Sequence, residues 1–179
     1  LTDWGAHLLD TFQWGADVET TGPVEIDGKG EFPKTGLYDT ALEYYIEYLY
    51  KNGVRLVIES GGCSIHFYGT DGWVGNTGWR GPLEASSGKI YHSVIEPSEI
   101  HLETCFQGEH RNFIDCVKTR KQPYFPAEIG HRCCSLLHLG NISMLLGRPL
   151  YWDPDKEEFL NDDSANRKLS REMRAPWRI

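Results

Sequence analysis

The sequence of 179 residues lacks the features that mark several large classes of protein. It has no uninterrupted apolar run of about 18 residues, so we expect no membrane-spanning helix. No Gly-x-Gly-x-x-Gly stands between an apolar strand and a helix, and strands and helices do not alternate, so the dinucleotide-binding fingerprint is missing. The chain opens on Leu1 rather than on an initiator methionine, and we therefore expect it to be part of a longer protein.

The cysteines form no Cys-x-x-Cys motif, and their number is odd. They are Cys63, Cys105, Cys116, Cys133 and Cys134. A disulfide framework is therefore not expected, and buried free thiols are. Free thiols favour a reducing, cytoplasmic location, with export directed by a signal ahead of Leu1 as the alternative.

Acidic residues outnumber basic ones over the whole chain, but the last residues reverse this balance. The formal net charge is −8, which argues against nucleic acid as a partner. Residues 164–179 hold five basic residues and one glutamate, a net charge of +4, so residues 1–163 carry −12. We expect this basic segment either to lie across an acidic surface of its own or a neighbouring chain, or to remain solvated.

The most informative pattern stands at the start. Asp3, His7 and Asp10 follow one another at spacings of four and three, which places them on one face of a helix predicted over residues 2–14. The apolar stripe of that helix is predicted at Trp4, Leu8 and Phe12. Gly5 leaves room for a substrate or a neighbouring backbone to approach. An imidazole flanked by carboxylates suits proton transfer or metal binding; the alternative is an ordinary solvated face.

A β-hairpin is predicted at Leu42–Tyr50 and Val54–Glu59, joined by a three-residue loop that ends in Gly53. This loop length sets the pairing of the two strands, and the pairing creates an apolar face. That face is made of Ile46, Tyr48, Tyr50, Val54, Leu56 and Ile58. The other face is mixed and holds Tyr45, Glu47, Leu49, Arg55, Val57 and Glu59. Such a mixed composition is typical of a subunit interface, although a half-solvated sheet has the same composition.

Further elements follow from the same patterns. Short strands are predicted at Val24–Ile26 within a turn-rich stretch, and at Ser64–Tyr68, Trp73–Thr77, Ile90–Ile95, Glu99–Glu103 and Tyr151–Trp152. Helices are predicted at His110–Lys118, with Phe113, Ile114 and Val117 inward, and at Ala127–Leu146, with a core stripe of Ile129, Cys133, Leu136, Leu137, Met144 and Leu145. Asp162 and Asp163 cap a last short helix. The fold class is α+β: a single domain with an open antiparallel or mixed sheet and helices packed on one face.

The opening Asp-x-Gly-x-His, followed by Leu-x-Asp, resembles the start of the second domain of the Gfo/Idh/MocA oxidoreductases. Further stretches fit the same family in order: Gly69–Trp73, Arg111–Val117, Pro126–Arg132, Leu139–Ile142 and Asn161–Arg178. The resemblance implies one half of a two-domain, nicotinamide-dependent dehydrogenase of sugars or polyols. The other half would hold most of the NAD or NADP and a catalytic lysine. We therefore expect this chain alone to be inactive and to bind neither cofactor with useful affinity.

The resemblance also assigns roles. It implies that His7 is the catalytic acid/base and that Asp3 hydrogen-bonds the substrate or His7, because hydride transfer from a carbinol requires removal of the hydroxyl proton. Asp10 is a weaker candidate for substrate binding, and a structural role is its alternative. Apart from the resemblance, Trp79 and Arg80 follow a predicted strand and could clamp a sugar by stacking and hydrogen bonding; surface packing is the alternative. The open sheet face would form a homodimer or homotetramer.

Three readings remain open at this point. The leading one is a dehydrogenase domain acting on a sugar, polyol or glycoside. A redox-assisted glycoside hydrolase or lyase would use the same residues, because transient oxidation acidifies a neighbouring C–H bond. A non-catalytic assembly domain is the third, and retention of Asp3 and His7 counts against it. Glu128 and His131 have a spacing found in carboxylate-bridged metal helices, but the second copy that such a site needs is missing, so no metal is expected.

Overall fold

The structure is a computed structural model that describes residues 1–99, 101 and 105–177. It divides into two compact units, Leu1–Gly61 with Arg132–Ile179 and Gly62–His131. The helices are α1 Gly5–Gly15, α2 Gly88–Tyr91, α3 Glu109–Thr119, α4 Ala127–Leu146 and α5 Asp163–Asn166. The strands are β1 Glu25–Glu31, β2 Glu43–Leu49, β3 Arg55–Glu59, β4 Ile65–Gly69, β5 Gly72–Asn76, β6 Leu83–Ala85, β7 Leu150–Asp153 and β8 Glu158–Phe159.

The first unit contains a five-stranded sheet in the order β3-β2-β1-β7-β8, antiparallel at each junction. The predicted hairpin is confirmed residue for residue, because Ile46 pairs with Ile58 and Glu47 with Val57. Gly53 closes the loop with a φ of 89°, a conformation that glycine adopts without strain. The predicted α+β class is likewise confirmed.

Strand β1 is longer than predicted. Its two glycines suggested a turn, yet Gly28 and Gly30 lie within the strand and pair with β2. A Cβ on Gly28 would lie 2.9 Å from Met144 Cγ, and one on Gly30 would lie 2.9 Å from Met144 Sδ. The glycines therefore let α4 approach the sheet closely rather than turn the chain.

The core lies between this sheet and helices α1 and α4. Tyr48 donates a hydrogen bond from its hydroxyl to the carbonyl of Leu136 over 3.1 Å, and the rings of Phe12 and Tyr50 are 5.9 Å apart. Burial raises the pKa of Tyr48 far above its ordinary value, so its hydroxyl stays protonated. The opposite face of the sheet is open: Tyr45 is 42% exposed and Val57 is 47% exposed. Helices therefore pack on one face only, as predicted.

Two predicted apolar stripes need correction. In α1 the buried residues are Leu9, Phe12 and Gln13, whereas Trp4 is exposed and precedes the helix. In α4, whose bounds are as predicted, Leu145 is exposed, and the buried set is Cys133, Leu136, Leu137, Leu139, Gly140, Ile142, Ser143 and Met144. Both corrections have one cause, since each helix is covered on a face set by its neighbours rather than by the most apolar line through its sequence.

The second unit contains a three-stranded antiparallel sheet in the order β4-β5-β6. Strands β4 and β5 match the prediction, but the strand predicted at Ile90–Ile95 is wrong. Ser87 accepts a hydrogen bond from the Ile90 backbone N–H and caps α2 instead. The strand predicted at Glu99–Glu103 lies largely outside the described residues.

The inward face predicted for α3 is also wrong. Phe113, Ile114 and Val117 are 64%, 46% and 47% exposed. Their spacing is that of an amphipathic helix, but the described residues leave this face uncovered.

The strand at Tyr151–Trp152 and the capped helix after it are confirmed. β7 contains the predicted pair Tyr151–Trp152, and Asp162 caps α5 by accepting a hydrogen bond from the Ala165 N–H. Both terminal guanidinium nitrogens of Arg148 donate hydrogen bonds to the Asp162 carboxylate. Among the described residues, no helix has the length and hydropathy needed to cross a membrane.

Candidate active site

Helix α1 carries the candidate catalytic residues, and α4 fixes its position. The Cys133 thiol donates to the Ala6 carbonyl over 3.6 Å. A Cβ on Gly5 would lie 2.7 Å from Leu137 Cδ2. Gly5, within the Asp-x-Gly-x-His motif, therefore serves the packing of two helices, and the neighbour that approaches it is the Leu137 side chain.

The face of α1 opposite Leu9 and Gln13 is polar and open. His7 and Asp10 are exposed on it, and Asp3 is exposed in the turn that leads into the helix. The His7 ring meets the ring of Trp4 edge to face, with centroids 5.8 Å apart. His7 and Asp10 are thus exposed on α1 as predicted, whereas Asp3 lies before the helix rather than within it. The catalytic roles of the three residues stay predictions.

Asp10 acts electrostatically on neighbours within the first unit. Burial raises the pKa of Glu19, and the negative charges of Asp10 and Asp17 raise it further. Burial also raises the pKa of the Cys133 thiol to about 11, with the Asp10 charge as the next contribution. The negative charge of Asp10 therefore affects the Cys133 thiol on α4, although the Asp10 side chain itself is exposed.

Trp79 and Arg80 lie in the second unit, in a tight turn after β5. The turn is closed by a hydrogen bond of 2.8 Å from the Gly81 N–H to the Gly78 carbonyl. Trp79 is 47% exposed. Arg80 has a backbone φ of 60°, a value that residues other than glycine rarely adopt. Trp79 and Arg80 thus belong to a different compact unit from Asp3, His7 and Asp10.

Neither a metal site nor a dinucleotide site is formed by the part of the chain that is described. No group of three histidine, cysteine, aspartate or glutamate side chains comes together there, and Glu128 and His131 belong to no such group. All described strand pairs are antiparallel, so the parallel βαβ unit that cradles a pyrophosphate is not built from these residues. The residues present do not fit a nicotinamide dinucleotide on their own.

Two features escaped sequence analysis. Gln13 is 1% exposed, and its side-chain oxygen has no hydrogen-bond partner among the described residues. The i, i+4 relation to Leu9 was the available signal for its burial. In the second unit, the rings of His66, Tyr68 and Trp73 cluster on one side of the sheet. The alternation of His66 and Tyr68 along β4 pointed to a shared face.

An antiparallel sheet covered by helices on one face defines an α+β domain. The family model that matches describes an oxidoreductase family, C-terminal alpha/beta domain, of the Gfo/Idh/MocA group, and the match spans residues 1–179. The chain belongs to this family, and the resemblance drawn from its sequence is confirmed.

Two solved structures share the fold. One is an aldose-aldose oxidoreductase from Caulobacter crescentus complexed with glycerol, with a TM-score of 0.53 and 14% identity, covering 82% of this chain and 45% of that chain. The other is an NAD-binding protein from Listeria innocua, with a TM-score of 0.59 and 18% identity, covering 83% and 46%. The chain thus spans less than half the length of either structure. A comparison with curated proteins gave no significant match.

Proposed function

We propose that this chain is the substrate-side domain of an NAD(P)-dependent oxidoreductase that acts on a sugar, polyol or glycoside. The observation that supports this best is the two-sided character of α1. One side is fixed in the core by Leu9 and by the contact of Gly5 with Leu137, while the other presents His7 and its neighbouring carboxylates to solvent. A rigidly held helix can position an acid/base precisely enough for proton transfer.

In this proposal His7 accepts the proton of the substrate hydroxyl. A nicotinamide cofactor, held mainly by a separate domain, would supply the hydride acceptor. Asp3 favours the imidazolium by its charge or holds a substrate hydroxyl by a hydrogen bond. Asp10 adds negative charge on the same face, and Trp79 and Arg80 contribute stacking and hydrogen bonding to the sugar.

We further propose self-association through the open face of the five-stranded sheet, giving a homodimer or homotetramer. Tyr45, Leu49 and Val57 are 42%, 37% and 47% exposed there, among Glu47 and Arg55. Apolar groups interspersed with both signs of charge can complement the same surface across a two-fold axis. No disulfide joins the five cysteines, which supports a cytoplasmic location for the assembled protein.

The test of the catalytic proposal is kinetic and uses the full-length protein. His7→Ala should lower turnover by about 10²–10⁴-fold while leaving the cofactor dissociation constant unchanged, because the residue moves a proton and holds no cofactor. Asp3→Asn should slow turnover too, because it keeps the shape but removes the charge. His138→Ala, an exposed histidine on α4, is the matched control and should retain wild-type rates. Wild-type turnover in His7→Ala would contradict the proposal.

A further inference from the structure

The sheet of the second unit has two unlike faces. Phe67, Val74 and Ala85 lie opposite one another on one face. Ile90 of α2 lies on this side of the sheet, since a Cβ on Gly72, which shares the face of Val74, would lie 2.7 Å from Ile90 Cδ1. His66, Tyr68 and Trp73 lie on the other face, which is open, and we call these three residues the aromatic surface.

The three rings of the aromatic surface adjoin one another. The centroids of His66 and Tyr68 are 6.2 Å apart with only 25° between the ring planes, and Trp73 lies 5.5 Å from His66 and 6.5 Å from Tyr68. Gly75 stands opposite His66, and a Cβ there would lie 2.5 Å from the imidazole Cδ2. The missing side chain lets the imidazole lie against β5, next to Trp73.

Ordinary cross-strand packing does not account for this exposure. Aromatic pairs stabilise a hairpin by covering each other, yet Tyr68 is 79% exposed. Glu84 lies opposite Gly75 on β6 and is exposed, so a carboxylate flanks the rings on the same face. The surface therefore combines open π-faces with hydrogen-bonding groups at their edges: the imidazole nitrogens, a phenol, an indole N–H and a carboxylate.

We propose that the aromatic surface binds a neutral saccharide, with the apolar face of a pyranose ring stacked on it. The C–H groups on that face carry partial positive charge and meet the negative face of an aromatic ring. The sugar hydroxyls project around the ring edge, where Glu84 can accept from them. The aromatic surface shares no residue with the α1 site, so this binding goes beyond the proposed catalytic function.

Size and charge favour a sugar over other occupants. A stable protein interface uses about 20–30 residues a side, far more than three rings and one carboxylate. A quaternary ammonium is held best when rings surround it, whereas His66 and Tyr68 lie on one open face with nearly parallel ring planes. Nucleic acid is disfavoured by the net charge of −8.

The experiment is saturation-transfer NMR on the 179-residue chain with methyl β-D-glucopyranoside and cellobiose as probes. Transfer should be strongest to the protons of the apolar sugar face. Tyr68→Ala should weaken binding by about tenfold, the upper end of what one aromatic contact contributes. Tyr38→Ala is the matched control, since Tyr38 is also 79% exposed but lies in the first unit.

The outcomes separate this proposal from the catalytic one. Loss of transfer in Tyr68→Ala, with transfer kept in His7→Ala, supports a saccharide surface in the second unit whatever His7 does. Transfer that is absent in the wild type, or equal in Tyr68→Ala and Tyr38→Ala, overturns the proposal. Tyr68-dependent binding of choline without binding of either sugar overturns it as well, in favour of a cation site.

Discussion

At Gly140 α4 lies close against the sheet, and replacing this residue tests the packing that positions the candidate site. A Cβ there would lie 2.0 Å from the Tyr48 hydroxyl oxygen and 3.0 Å from Ile46 Cδ1. Neither neighbour can yield easily, because Ile46 is fully buried and Tyr48 is 1% exposed. Gly140→Ala must therefore push the phenol away from the Leu136 carbonyl or lift the helix from the sheet.

The cost has opposing contributions. Overpacking a tight core costs about 1–3 kcal/mol, and loss of the buried hydrogen bond from Tyr48 adds about 1 kcal/mol. The better helix propensity of alanine returns about 1 kcal/mol. The net expectation is a loss of about 2 kcal/mol in the free energy of unfolding, measured by urea denaturation followed by circular dichroism.

A control and a second substitution make this prediction sharp. Gly130 lies in the same helix with nothing near its Cβ position, so Gly130→Ala should stabilise by about 0.5–1 kcal/mol. Tyr48→Phe removes the oxygen that lies 2.0 Å away, so the Gly140→Ala/Tyr48→Phe double variant should cost less than the sum of the single changes by about 1 kcal/mol. Strict additivity, or a Gly140→Ala variant as stable as the wild type, would refute the proposed close contact.

Three further predictions concern thiols, acid stability and assembly. Burial raises the pKa of Cys133 to about 11, so iodoacetamide near neutral pH should label the exposed Cys134 first, as read by peptide mass spectrometry; equal labelling would contradict the burial. The Arg148 guanidinium, with Ser164 and the Ala165 N–H, holds the pKa of Asp162 well below its usual range. Its contribution to stability is therefore complete above the ordinary carboxyl pKa of about 4 and is lost as pH falls toward the lowered value. Asp162→Asn should flatten the acid limb of the stability curve, whereas Asp163→Asn should not. In sedimentation equilibrium, Val57→Lys should dissociate a sheet-mediated oligomer that Lys51→Ala leaves intact, and a wild-type monomer would argue against the interface.

The hairpin and α4 could be predicted because their signals are local. Gly53 ends a loop of fixed length, so the pairing of β2 and β3 follows by counting. Pro126 precedes α4, and Gly147, with a φ of 65°, ends it. Each signal is contained in a few neighbouring residues and needs no knowledge of the rest of the fold.

The errors arose where a distant element decided the outcome. Gly28 signals a turn locally, yet it is required in a strand because Met144, more than one hundred positions later, packs over it. Leu9 and Gln13 are buried in α1 because α4 and the sheet cover that side. The exposure of His7 and Asp10 on α1 was predictable from helical spacing, whereas Asp3 lies in the turn before the helix.

The most direct test of the role of His7 is the pH dependence of kcat/KM in the full-length protein, compared between wild type and His7→Gln. Glutamine keeps the capacity to form hydrogen bonds, but its side chain does not ionise at the pH values of such a profile. If His7 is the acid/base, the limb of the profile that depends on its ionisation should disappear in the variant, and the residual rate should be pH-independent across that limb. A variant that keeps the wild-type limb, or loses rate only through a raised KM, would contradict the assignment.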